Sequence, residues 1–274
     1  MQTITFKNSK PDLFKIICYP DRQSAVELHL DKLDVKKPVK LNCRIEDFFD
    51  IEILLCLVAS LRKNDFFIET IIFSYLFGMR SDRAFTAGQC NYFRDIIAPI
   101  INGLKIPEVY VFAPHNFTVL QYINAETYKP MNCLTAYCRD SLFLWGDESA
   151  NFLMNSLSCS YEFSQRMIGS FSKKREDGLI TGIYLNEEQM DRIKYYDAHP
   201  IVIVDDLCDG GATFIAEAKY LRENGVTNPL HLFVAHGLFT KGVEPLLGHF
   251  EKIICTNSYS RLALYPKLQV IEII

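Results

Sequence analysis

Long apolar runs are missing from this chain. The longest strongly apolar stretch, Ile51 to Leu61, is interrupted by Glu52 and is too short to span a bilayer. The N-terminal MQTITFKNSK has no apolar h-region, so no signal peptide is expected. No basic block stands out and the formal net charge is −4, which speaks against a nucleic-acid binder. There is no CxxC pair. The cysteines (Cys18, Cys43, Cys56, Cys90, Cys133, Cys138, Cys159, Cys208 and Cys255) are odd in number and scattered, several inside apolar runs. That pattern argues for reduced thiols in a cytoplasmic protein and against a zinc site or disulfide framework. A GxxxxGK[ST] loop, a defensible Ser/His/Asp arrangement, short-period repeats and low-complexity tracts are absent too.

What is present fits a globular protein. The 274 residues are 49% apolar and 23% charged, enough for two domains of ordinary size with their own cores. Short β-branched runs alternate with amphipathic patterns. Strands are expected at Phe14–Cys18, Val39–Arg44, Thr70–Tyr75, Glu108–Phe112, Ser141–Trp145, Ile201–Val204 and Leu230–Ala235. Helices are expected at Ile51–Lys63, Ala87–Gly103, Ser149–Ser156, Phe214–Asn224 and Gly242–Leu247. This rhythm predicts an α/β fold of mostly parallel sheets flanked by helices. A composition change at Ala125–Asn132 divides the chain into residues 1–130 and 131–274.

The strongest local signal is Ile201-Val-Ile-Val-Asp-Asp-Leu-Cys-Asp-Gly-Gly-Ala-Thr213. Four apolar residues make a buried parallel strand, and acids follow where ligands bind in open α/β sheets. Asp209, Gly210, Gly211, Ala212 and Thr213 then lead into a helix. Small residues let backbone N–H groups approach a phosphate, and the helix N-terminus supplies a favourable dipole. Carboxylates are poor neighbours for phosphate, so Asp205 and Asp206 suit sugar hydroxyls or Mg²⁺. The bland alternative is a tight Asp-Gly turn before a helix, and two acids plus the DGGAT run make it the weaker one.

This segment resembles the ribose-phosphate-binding fingerprint shared by type I phosphoribosyltransferases and ribose-phosphate pyrophosphokinases, the PRPP synthetases. Further stretches favour the synthetases. Arg80-Ser-Asp82-Arg83 resembles their ATP-contacting RQDR, and Tyr19-Pro-Asp21-Arg-Gln23 resembles FxDGE, whose aromatic stacks on adenine. His115 in APHN resembles the metal-binding His of DLHA or DPHS, and Asp147 in WGDES resembles the Asp of SPDxGG. Lys173-Lys-Arg175 resembles the catalytic KRR, and Ala235-His-Gly-Leu-Phe-Thr240 resembles THGxFS. The matches keep the family's order over nearly the whole chain.

The resemblance implies two phosphoribosyltransferase-like domains, with an ATP loop in the first and a ribose-phosphate loop in the second. It implies Mg²⁺, ATP as co-substrate and a homo-oligomer that completes the nucleotide site. The implied reaction moves the β,γ-diphosphate of ATP to the C1 hydroxyl of a ribose-5-phosphoryl acceptor and releases AMP. Lys173 and Arg175 would be catalytic. Asp205, Asp206 and residues 209–213 would hold the ribose phosphate, and His115 and Asp147 the metal. Tyr19, Asp21, Gln23, Arg80, Asp82 and Arg83 would bind ATP. Each has a plain reading: a solvated charge run at 173–175, a structural His at a strand end, an internal ion pair at 80–83.

This chain departs from the family at Ser81, Ala113 and Gly210, which stand where the motifs have Gln, Asp and Thr. Gly210 removes a side chain beside the 5-phosphate and is expected to open space there. That favours ADP-ribose, an acceptor for rebuilding NAD, over ribose 5-phosphate. A phosphoribosyltransferase consuming PRPP and a non-catalytic regulatory relative are the alternatives. No nucleic acid or membrane partner is expected.

Overall fold

The computed structural model describes residues 1–7, 13–84, 86–129, 140–147, 153, 166–176, 179–259, 265 and 267–273, without the side chains of 175, 176 and 179–181. The chain divides into two compact units, Met1–Tyr128 and Lys129–Ile273.

The first unit contains, in order, β1 (Gln2–Phe6), β2 (Phe14–Cys18), β3 (Ser24–Leu28), β4 (Val39–Ile45), α1 (Phe48–Lys63) and β5 (Ile68–Leu76). A π-helical turn at Phe93–Ile97 then runs into α2 (Ala98–Gly103), followed by β6 (Glu108–Phe112), α3 (Phe117–Tyr122) and β7 (Glu126–Tyr128). Its main sheet is parallel, in the order β1-β4-β5-β6-β7. The inner strands β4 and β5 are buried along nearly their whole length, the polar Asn42, Arg44, Thr70 and Ser74 included. The β2–β3 hairpin is antiparallel and bonded to α1, where Ser24 N–H donates to Glu52 Oε1 at 2.9 Å.

Two helix starts differ from the sequence expectation. Asp47 caps α1 by accepting from Asp50 N–H at 3.0 Å, so the helix begins at Phe48 and not Ile51. The run expected from Ala87 starts at Asn91. Its side chain accepts from Arg94 N–H at 2.9 Å, and its own N–H donates to Asp95 Oδ2 at 2.9 Å. Reciprocal capping fixes that start. Pro99 has no N–H to return to the preceding turn, and the run is π-wound just before it.

The second unit contains β8 (Leu142–Trp145), β9 (Met167–Ser170), β10 (Ser172–Glu176), β11 (Leu179–Tyr184), α4 (Glu187–Tyr195) and β12 (Ile201–Cys208). It continues with α5 (Ala212–Glu223), β13 (Leu230–Gly237), α6 (Glu244–Leu247), β14 (Lys252–Thr256) and β15 (Leu268–Ile271). Six parallel strands lie in the order β15-β14-β13-β12-β8-β9, while β10 and β11 form a separate antiparallel pair. Ile203, Phe214, Leu221, Leu232 and Ile253 belong to one buried cluster beneath α5. The expected helix Ser149–Ser156 lies outside the described residues except for Leu153.

β12 runs four residues beyond the expected Val204, because its ladder with β13 continues through Leu207 opposite His236 and Cys208 opposite Gly237. Asp205 and Asp206 therefore sit within the strand's last half. Among the described residues, Cys18, Cys43, Cys56, Cys90, Cys208 and Cys255 are free thiols, and no helix is long and apolar enough to cross a membrane.

Candidate functional site

The loop between β12 and α5 has the backbone that phosphate binding requires. Gly211 is the N-cap of α5 at φ +78, a left-handed conformation that glycine adopts without strain, and it makes no side-chain cap bond. A helix opened this way directs its first N–H groups outward, with Thr213 in the first turn. Asp209 is tied to the segment after β13. Thr240 Oγ1 donates to Asp209 Oδ1 at 2.5 Å, and Thr240 N–H donates to Asp209 O at 3.1 Å. Leu238 and Phe239 N–H both donate to Cys208 O. The AHGLFT stretch thus closes onto the DGGAT loop. His236 itself is buried in β13, with Nδ1 2.8 Å from Ser258 Oγ.

Gly210 does not leave open space. A Cβ there would lie 3.2 Å from Lys241 Cδ and 3.3 Å from Cε, so the stem of Lys241 fills the region a side chain would use. The expectation of a vacated pocket is corrected accordingly: an exposed cation stands beside the loop instead.

Asp205 and Asp206 meet Asp147 at the C-terminal edge of neighbouring strands. β8 pairs with β12 through Trp145 opposite Val204, and Gly146 N–H donates to Val204 O at 2.9 Å. Asp205 Oδ1 accepts from Asp206 N–H at 2.8 Å. Burial, then the charges of Asp206 and Asp147, push the Asp205 carboxyl well above the usual carboxylate range. This concentration of negative charge suits a site for hydroxyl donors or a cation.

Lys173 comes from β10, opposite Ile183 on β11. Its Nζ lies 3.2 Å from Glu217 Oε1 on α5 and 3.7 Å from Asp147 Oδ2. The Lys173 side chain is 5% exposed and that of Glu217 is fully buried. Burial pushes the Glu217 carboxyl up to about 8, against the downward pull of Lys173. The backbone of Arg175 is in β10 beside a bulge between Lys174 and Arg175, and its side chain lies outside the described residues. The second unit therefore brings together Lys173, Asp147, Asp205, Asp206 and the 209–213 loop.

The first unit holds the other expected residues in two places. Tyr19, Asp21 and Gln23 form the exposed turn of the β2–β3 hairpin. Tyr19 N–H donates to Gln23 O at 2.8 Å, and Gln23 N–H donates to Asp21 Oδ1 at 3.2 Å. Arg22 has φ +72, at the position where the FxDGE pattern has glycine. Arg80 and Arg83 are exposed. Asp82 accepts from Asn116 Nδ2, and its carbonyl accepts from Asn91 Nδ2. Asn116 is also the N-cap of α3, so Asp82 joins the RSDR loop to the segment carrying His115. Ala113, where the motif has Asp, sits at φ +42 at the end of β6. Among the described residues, no three His, Cys, Asp or Glu side chains cluster in a way that could hold a metal alone.

Two residues escaped the sequence reading. Glu217 lies on the buried face of α5 with Phe214, Ala218 and Leu221, and an acid at an apolar helical position was the available signal. Lys241 follows the AHGLFT motif directly, but nothing in sequence places its stem over Gly210.

No family model matches the chain. A stretch of 77 residues is 32% identical to a ribose-phosphate pyrophosphokinase of Mycoplasmopsis pulmonis (strain UAB CTIP). That stretch is 26% of this chain and spans about a quarter, 24%, of the relative's length. A solved phosphoribosylpyrophosphate synthetase from Mycobacterium smegmatis has a similar fold, with a TM-score of 0.72 at 14% identity, covering 95% of this chain and 86% of that one. The protein has the α/β fold of that synthetase.

Proposed function

We propose that this protein moves the β,γ-diphosphate of ATP to the C1 hydroxyl of a ribose-5-phosphoryl acceptor, releasing AMP. The observation that carries this reading is the convergence in one unit of an open phosphate loop, an acid pair and a buried cation: residues 209–213, Asp205 with Asp206, and Lys173. The partial identity to a ribose-phosphate pyrophosphokinase supports it. A lone phosphate loop would serve many enzymes. A lysine held at the edge of the same acids adds what diphosphate transfer needs, a positive charge for oxygens that gain charge in the transition state.

In this reading the loop N–H groups and Thr213 hold the 5-phosphate, and Asp205 and Asp206 accept from the ribose hydroxyls. Lys173, with Arg175, stabilises the transferred group. Tyr19, Asp21, Gln23, Arg80, Asp82 and Arg83 hold ATP. Mg²⁺ fits this residue set: it keeps several waters and binds through one or two carboxylates plus substrate phosphates, so no all-protein cage is needed. Asp147 is a carboxylate suited to it, His115 is the imidazole that the motif resemblance assigns to metal, and the ion would supply charge neutralisation on ATP.

The acceptor we favour is ADP-ribose over ribose 5-phosphate. Its support is the pairing of Gly210 with Lys241, whose stem lies where the related loops carry a threonine side chain. An acceptor bearing a diphosphate spreads its charge over two phosphates, and the outer one reaches beyond the loop, where an exposed lysine can meet it. The test is to offer Mg·ATP with each acceptor in parallel and follow AMP release, with Lys173→Ala as the control. AMP release that needs an acceptor, and that falls by about two or more orders of magnitude in the folded control, is the expected result. Wild-type turnover in Lys173→Ala, or no acceptor-dependent AMP, rejects the assignment.

A further inference from the structure

We propose that Glu217 is a positioning residue that fixes the Lys173 ammonium on the helix opening with the phosphate loop. This rests on the reading of Lys173 as the cation of diphosphate transfer. Lys173 belongs to a two-stranded sheet that is not hydrogen-bonded into the six-stranded one. Such a pair is marginal as a unit, and a lysine side chain has many rotamers, so Nζ needs an anchor outside its own strand. The contact to Glu217 Oε1 at 3.2 Å supplies it. Glu217 lies one helical turn after Thr213, so the anchor stands on the same helical face as the loop's hydroxyl. The second carboxylate near Nζ, on Asp147, is farther at 3.7 Å and 28% exposed.

The chemistry of position 217 points the same way. Its neighbours on the buried face, Phe214, Ala218 and Leu221, are apolar, and packing there needs no charge. Neither Glu217 oxygen has a hydrogen-bond partner among the described residues, and the 3.2 Å approach of the Lys173 ammonium to Oε1 is a charged contact. A buried carboxyl group in that state costs stability that an apolar residue of similar size would not. What the carboxyl group adds is its hold on Lys173.

The experiment compares Glu217→Met, which fills the space without a polar atom, with Glu217→Gln, whose amide oxygen presents a polar atom to Lys173 at the same reach. Glu217→Met is expected to lose about 100-fold in kcat with KM for ATP and acceptor within about threefold, while Glu217→Gln keeps kcat within about tenfold. Adding Glu217→Met to Lys173→Met should cost nothing further, since Glu217 acts through Lys173. Glu217→Ala replaces the Met variant if that protein does not fold. Wild-type kcat without the carboxylate, equal losses in the Gln and Met variants, or a loss confined to KM overturns the proposal. If the wild type itself releases no AMP, the functional reading fails separately. The anchor is then read from acetic anhydride labelling of Lys173: faster labelling in Glu217→Met supports it, and an unchanged rate overturns it.

Discussion

Asp205 and residue 146 share one volume: Asp205 Oδ2 lies 2.6 Å from where a Cβ on residue 146 would sit, so the carboxylate keeps its seat because position 146 is glycine. The two residues come from adjacent strands, joined by the bond from Gly146 N–H to Val204 O. A methyl group at 146 must displace a carboxylate already held by Asp206 N–H. Gly146→Ala should therefore weaken the ribose acceptor about tenfold, on the scale of one misplaced polar contact, and leave ATP affinity within about twofold. Calorimetry with each substrate on the folded variant checks this. An unchanged acceptor affinity would remove Asp205 from the ribose-binding role.

Arg22 offers a stability test in the other unit. Its φ of +72 places a long cationic residue in the left-handed region, at the tip of the β2–β3 hairpin. An L side chain there costs about 1–2 kcal/mol, which glycine avoids while losing more chain entropy on folding. Arg22→Gly is expected to gain about 0.5–1 kcal/mol in denaturant unfolding. A loss of stability would mean that the arginine side chain contributes more than its backbone strain costs.

The strands were legible because their signal is local. Ile201 to Val204 is a short apolar run and Val39 to Arg44 alternates apolar with polar residues, two patterns that strands produce. The turn into α5 was legible because two glycines precede a helical pattern, and Gly211 takes the left-handed cap position. Other strands were not: Ser24–Leu28, Leu268–Ile271 and the inner strand Lys252–Thr256 are only four or five residues long, and their partners decide them. The helix start at Asn91 was lost because its cap is made by Asp95, a residue inside the helix pattern. The partners of the candidate cation were hidden for the same kind of reason. Nothing local to Lys173 announces a carboxylate on a helix more than forty residues later, and nothing at Gly210 announces Lys241.

The Glu217 carboxyl gives the second unit a pH signature. Folded, it holds its proton up to about 8; unfolded, it returns to the ordinary value of 4.5. Between these values the folded chain binds the extra proton, so raising the pH favours unfolding. Its stabilising contribution is complete below pH 4.5 and is lost as the pH climbs to about 8. The slope approaches about 1.4 kcal/mol per pH unit at most. Glu217→Gln should flatten that slope in urea unfolding measured from pH 5 to 9. Parallel slopes in the two proteins would show that Glu217 is ionised throughout.

The last expectation concerns the acceptor. ADP-ribose should be used at least as well as ribose 5-phosphate. The earlier idea of a pocket vacated at Gly210 does not hold, since the Lys241 stem lies 3.2–3.4 Å from any Cβ placed there. The two positions act as one device: glycine makes room for the lysine, and the lysine brings charge to the loop. Gly210→Thr must push that stem aside, because Thr adds atoms beyond a Cβ that is already in tight contact. It should then cost ADP-ribose more than ribose 5-phosphate by about 1–3 kcal/mol in kcat/KM. Lys241→Met should show the same selectivity more weakly, about 1 kcal/mol, and its effect should shrink at high salt because the ammonium is exposed. Because both substitutions act on one side chain, the double variant should lose less than the sum of the two. The measurement is kcat/KM for both acceptors in the four proteins at low and high ionic strength. A wild type that ignores ADP-ribose, or variants that lose both acceptors equally, would make ribose 5-phosphate the acceptor.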